Sequence, residues 1–142
     1  MSKRHEVPPA ALMIDIDTFK RINDVHGHHV GDAVIRAIAE ALRTGTRDGD
    51  GAGRWGGEEI LVTLPSSDQA SAAIVAERIH GLIASTVLTN GLVGGPVTVS
   101  VGVSELRGGD APRMLRDAHD ALYVAKTTGR NRVALSLAPS LA

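Results

Sequence analysis

Cysteine is absent from this 142-residue chain, and aromatic side chains make up only 2% of it. Without cysteine there is neither a disulfide framework nor a thiolate zinc site. With so few aromatics, the core must be aliphatic, drawn from the Val, Ile, Leu and Ala that dominate the 43% of hydrophobic residues. No apolar run approaches the roughly 20 residues that span a bilayer. Met1 to Glu6 is charged and lacks the apolar segment of a signal peptide, so a cytoplasmic chain without a membrane segment is the expectation. A surplus of positive charge is missing too. The formal net charge of −1 argues against a general nucleic-acid binder, because counterion release needs Lys and Arg massed on one face. A single nucleotide needs only a few well-placed cations and is not excluded. The length suits one domain.

The residues that are present alternate between strand and helix signals. Ala10 to Ile16 (AALMIDI) reads as a buried strand with acids at its exit. A short helix over Phe19 to Val25, closed by Gly27, precedes a long amphipathic one from His29 to about Arg43. Thr44 to Gly53 is Gly- and Asp-rich and reads as a turn. Ile60 to Leu64 reads as a second strand, joined to Arg54 and Trp55 by a tight hairpin through Gly56-Gly57. A helix is expected over Asp68 to Ser85, then a flexible connection over Leu88 to Gly95. Val97, Val99, Val101 and Val103 alternate with small residues, the pattern of a half-buried strand. A last helix over Pro112 to Thr127 and a last strand over Arg132 to Leu137 complete the pattern. This order predicts an α+β fold: one central, mostly antiparallel sheet flanked by helices, with the helices on a single face. Residues 1–9 would be a flexible extension, 10–137 the domain and 138–142 a frayed tail.

Asp15 and Asp17 leave the first strand two residues apart and so point the same way. Glu58 and Glu59 follow the Gly-Gly turn into another strand. If the two strands are neighbours, most or all of these carboxylates converge at one sheet edge. A cluster of that kind needs cations, and hard oxygen ligands favour magnesium, the usual partner of phosphoryl transfer. Solvated acids flanking strands are the competing reading from spacing alone. Gly56-Gly57 would permit positive φ and a close backbone approach by phosphate or ribose.

Gly56-Gly57-Glu58-Glu59-Ile60 resembles the five-residue hallmark of the GGDEF family, the diguanylate cyclases. Three further segments agree in order and spacing. Ile14-Asp15-Ile16-Asp17 with Phe19-Lys20 and Asn23-Asp24 looks like the family's first strand and helix. Gly27-His28 with Gly31-Asp32 looks like its next helix start. Ala125-Lys126 with Gly129-Arg130-Asn131 looks like its C-terminal phosphate segment. The likeness runs from about Leu12 to Val133. It implies a ferredoxin-like, nucleotidyl-cyclase palm fold and the condensation of two GTP into cyclic di-GMP and pyrophosphate.

The resemblance also implies roles. Asp15, Glu58 and the carbonyl of Ile16 would hold magnesium or manganese. Glu58 would also be the position proposed to take the proton of the 3′-hydroxyl, although a metal-bound carboxylate is a weak base. Glu59 would support the metal shell or the ribose. Asn23 and Asp32 would read guanine, His28 would lie near the nucleotide, and Lys20, Lys126 and Arg130 would hold the triphosphate with amides near Thr18 and Phe19. Arg47 and Asp50 form an RxxD separated by five residues from Gly56, which with Arg78 would be a product-inhibitory site. His26, His28 and His29 also permit a zinc or nickel reading, against which a solvent-facing turn is preferred. A homodimer or higher oligomer follows from a two-fold symmetric product.

Departures are Ile60 for the usual Phe, Trp55 where Tyr is common, and no leading helix or Asn-Arg-Arg segment before the first strand. An upstream sensor or receiver domain is expected in the full protein. The alternatives are a weak or inactive domain that binds cyclic di-GMP or GTP, and an adenylyl cyclase or polymerase-palm relative using another nucleotide.

Overall fold

The computed structural model describes residues 7–90 and 93–137. Most of the expected N-terminal extension, part of the 88–95 connection and the whole 138–142 tail lie outside the described residues. The elements run β1 (Ala10–Ile16), α1 (Phe19–His26), α2 (His28–Gly45), β2 (Gly51–Gly56), β3 (Glu59–Leu64), α3 (Gln69–Asn90), β4 (Val99–Glu105), α4 (Ala111–Thr127) and β5 (Arg132–Leu135). They form one open sheet in the order β2-β3-β1-β4-β5, antiparallel throughout except where β5 lies parallel to β4. The fold is α+β, as expected.

β1 is the central strand, and all seven of its residues are buried. Its alternation divides the core in two. Leu12, Ile14 and Ile16 face the helices α2 and α3, packing with Val34, Ile38, Ile79 and Ile83. Ala11 and Met13 face α4, packing with Met114, Ala118 and Leu122. Each fully buried aliphatic side chain of this size contributes roughly 2 kcal/mol.

Helices therefore cover both faces, which corrects the single-face expectation. The reason lies in β4. Its alternating valines pack under α3, while the small residues between them (Ser100, Gly102 and Ser104) are buried as well, under α4. A β-carbon on Gly102 would strike the backbone of Ala118 and Leu122. Ser104 Oγ donates to the carbonyl of Met114 at 2.6 Å. Small polar residues that look like a solvent face are here a seat for a closely packed helix.

Three boundaries also moved. Gly51–Gly53, expected as turn, are strand, because pairing with β3 supplies hydrogen bonds that their own propensity does not. Helix α3 continues to Asn90, past the expected stop at Ser85, so Leu88–Asn90 are helical rather than connection. Strand β5 ends at Leu135, two residues early. No described helix is long and apolar enough to cross a membrane.

Candidate active site

The β1 exit carries Asp15 and Asp17, both on the α4 side of the sheet and only 3% and 6% exposed. Burying carboxylates is costly unless they are hydrogen-bonded or paired. For Asp15 the partner comes from the last turn of α4, where Lys126 Nζ donates to Oδ2 at 2.8 Å. For Asp17 three donors converge: Thr98 Oγ1 at 2.7 Å, Ser100 Oγ at 2.6 Å and the backbone N–H of Asn131 at 2.9 Å.

Glu58 reaches the same place from the β2–β3 hairpin. Gly56 closes β2, Gly57 and Glu58 make the turn, and Glu59 opens β3 directly opposite Asp15. Trp55 is the extra residue of a register shift between Arg54 and Gly56, a bulge that re-aims the turn. Arg54 fastens the tip by donating Nη2 and Nε to the carbonyl of Gly57 at 2.6 and 3.1 Å. The N–H of Ile16 donates to the Glu58 carbonyl at 3.3 Å, which locks the turn to the end of β1.

Burial is the main force raising the pKa of Asp15, offset by the hydrogen bond and charge of Lys126. Glu58 is raised as well, by burial first and then by the charge and hydrogen bond of Asp15. Their closeness acts in opposite senses on the two, lowering Asp15 and raising Glu58. Two carboxylates facing each other are an arrangement that a divalent cation relieves.

The four acids lie at one end of the sheet, but they do not all face one point. Asp17 is consumed by its three donors, and Glu59 is drawn aside by His119, whose Nε2 lies 3.3 Å from Oε2. Among the described residues no group of three or more His, Asp or Glu is arranged to hold a metal. Asp15 and Glu58 are the pair that comes together. Gly56 and Gly57 have no positive φ, so left-handed freedom does not account for them. A β-carbon on either would meet nothing, which leaves this flank of the hairpin open to approach.

The remaining positions lie around this pair. Thr18 is left-handed at φ 53° and starts α1 two residues past β1, which sets the free first-turn amides of the helix at the strand's end. Phe19 is in the core, so only its backbone can face a ligand, whereas Lys20 is exposed. The buried Oδ1 of Asn23 has no hydrogen-bond partner. It abuts Gly31, where a β-carbon would overlap it, and Gly31 is followed on α2 by the exposed Asp32. An unsatisfied buried acceptor costs about 1–3 kcal/mol, and such groups call for a functional explanation. His26, His28 and His29 are exposed. A groove of about 460 Å³ runs between α2 and the hairpin, lined by Ile35, Leu42, Arg43, Arg54 and Ile60. It contains none of the acids.

At the far end of α2, Arg78 donates Nε and Nη2 to the carbonyl of Gly45 at 3.3 and 3.0 Å. Arg47 and Asp50 close their own turn. The N–H of Arg47 donates to Asp50 Oδ2 at 2.9 Å, and the N–H of Asp50 to the Arg47 carbonyl at 3.0 Å. The Arg47 side chain is exposed beside them.

His119 and His80 were not among the sequence candidates for the site, and Asn131 entered only as part of the phosphate segment, with no role of its own. His119 and Lys126 are seven residues apart on α4 and therefore share one face, a spacing that could have pointed to His119. His80 offers no such signal, because its contact is tertiary.

A family profile described as "Diguanylate cyclase, GGDEF domain" matches residues 1–132. The chain is 43% identical over 130 residues to the response regulator PleD of Caulobacter vibrioides, covering 89% of this chain and 29% of that protein. It is 42% identical over 127 residues to diguanylate cyclase A of Treponema denticola, covering 88% and 34%. The chain thus spans about a third of the curated relatives it matches. Among solved structures it resembles the active GGEEF domain of a diguanylate cyclase from Vibrio cholerae, with a TM-score of 0.83, 32% identity and coverage of 96% and 88%. The GGDEF domain of DgcB from Caulobacter crescentus in complex with c-di-GMP gives a TM-score of 0.83, 33% identity and coverage of 93% and 77%.

Proposed function

Since this chain belongs to the GGDEF family, we propose that it is a cyclase domain condensing two GTP molecules into cyclic di-GMP with release of two pyrophosphates. The observation that carries the reading is the meeting of Asp15 and Glu58, from separate strands, beside Lys126. Asp15, Glu58 and the Ile16 carbonyl offer the hard oxygen donors that magnesium or manganese takes. When bound, such an ion lowers the pKa of a ribose 3′-hydroxyl and neutralises charge at the α-phosphate.

The protein's own part is positioning. Asn23 and Asp32 complement the guanine edge, with an amide for O6 and a carboxylate for N1 and N2. Adenine would leave both mispaired, so GTP is preferred over ATP. His28 stands at the same helix start. Lys126, Lys20, Arg130 and the amides of Thr18 and Phe19 would hold the triphosphate. Glu58 and Glu59 keep the attacking hydroxyl oriented. Each 3′-oxygen forms a bond to the other GTP's α-phosphorus as the bond to pyrophosphate breaks.

One domain holds one GTP, so two copies must face each other across a two-fold axis. Product binding at Arg47, Asp50 and Arg78 would hold domains out of that arrangement, since an arginine can pair bidentately with a guanine Hoogsteen edge. Input would come from a sensor or receiver domain of a longer protein, as the name response regulator of one relative suggests.

Incubating the chain with GTP and magnesium, beside an Asp15→Asn variant, tests the reading. Cyclic di-GMP is expected from the wild type, and a loss of at least about a hundred-fold from the variant. Equal product from both removes the metal assignment.

A further inference from the structure

The segment after α4 takes an uncommon backbone path. Gly129, Arg130 and Asn131 adopt φ values of 134°, 61° and 49° in succession. Glycine bears this freely and asparagine tolerates it, but the β-carbon of Arg130 crowds its own carbonyl there. Side chains held left-handed persist only where the surroundings over-determine them, and they gather at ligand clamps.

The surroundings here can be named. The N–H of Arg130 donates to the Ala125 carbonyl at 2.9 Å, and Arg132 Nε donates to the Arg130 carbonyl at 3.0 Å. Asn131 is gripped from two sides. Its N–H donates to Asp17 Oδ2 at 2.9 Å, and its Oδ1 accepts from His80 Nε2 on α3 at 2.6 Å. Asp17 is itself immobilised by the hydroxyls of Thr98 and Ser100 on the sheet. One grip thus comes from the end of β1 and the other from α3.

From this geometry we propose that Asp17, His80 and Asn131 form a clamp that sets the direction of Arg130. They are positioning residues for the phosphate-binding guanidinium, and they need not touch the nucleotide themselves. The clamp rests on the reading of Arg130 as a triphosphate ligand. It explains why a buried acid two residues from Asp15 is spent on structural donors. It also joins α3, which carries Arg78, to the phosphate segment.

GTP titrations and initial rates with magnesium on the intact chain test the clamp. Arg130→Ala is expected to weaken GTP binding and raise KM. His80→Ala is expected to raise both the GTP dissociation constant and KM about five-fold, the size of one lost hydrogen bond. In that variant kcat should stay within about two-fold and the melting temperature should fall by no more than a few degrees. His80→Gln, whose amide can donate from a similar place, should restore KM. Asn131→Gly, which keeps the left-handed backbone but loses the side chain, should behave as His80→Ala. If Arg130→Ala raises KM while His80→Ala and Asn131→Gly do not, the clamp is overturned and the phosphate role stands. An effect confined to melting temperature overturns it equally. A silent Arg130→Ala removes both ideas.

Discussion

Asp15 and Glu58 influence each other across two strands, and the consequence is a pH dependence. Both carboxyls bind protons more tightly in the fold than in the unfolded chain, because of burial and, for Glu58, the facing Asp15. The native state therefore holds more protons than the unfolded state between the ordinary carboxylate range and the raised values. Ion-free protein should be stabilised by this pair at low pH and lose that stability as pH rises from about 4 through the raised values. Magnesium favours the ionised pair and should offset the loss. Melting temperatures in chelator, taken from about pH 5 to about 7.5, are expected to fall more for the wild type than for Asp15→Asn. Added magnesium should raise the wild-type value and leave the variant nearly unmoved. Identical slopes in the two proteins would show that the pair does not titrate in this way. The residue types and spacing of Asp15 and Glu58 were readable in the chain. The destinations of Asp17 and Glu59 were not, because Thr98, Ser100, Asn131 and His119 reach them only through the fold.

Helix α4 delivers His119 and Lys126 to the acids, and its height above the sheet is set at Gly102. Gly102→Ala places a β-carbon against the backbone of Ala118 and Leu122, which cannot turn aside as a side chain can. A destabilisation of about 1–3 kcal/mol by urea unfolding is expected, the range for overpacking. Product formation should fall further than stability requires, since lifting α4 also withdraws Lys126 from Asp15. Stability and activity both unchanged would mean that the helix slides freely on β4. Periodicity announced α4, because Leu115, Ala118, Leu122 and Ala125 recur on one face, although the structure buries Met114 more fully than Leu115. Which side of the sheet that face would cover could not be read, since Ser100, Gly102 and Ser104 look the same under water as under a helix. β2 was hidden for a related reason. Its GAGRWG sequence has little strand character, and the ladder to β3 imposes the conformation.

Two half-reactions on one symmetric product make the active unit a pair of domains under the proposed function. The specific rate should therefore rise with protein concentration and level off once pairing saturates. Initial rates over a wide dilution series check this, and a specific rate independent of concentration would contradict pairing at assay concentrations. Arg47→Ala should leave the initial rate alone and relieve slowing as product accumulates. The corner it belongs to is held without its guanidinium, through the Arg47 backbone, Asp50 and Arg78.

By itself the order of residues determined the element types, an aliphatic core and the acid–glycine–cation pattern, because these depend on composition and on spacing within a few turns of chain. Tertiary structure alone decided which acids meet, which helix covers which face, and what Asn131 and His119 touch. Those outcomes depend on distances between segments far apart in sequence, and they are set by how closely small residues let backbones approach.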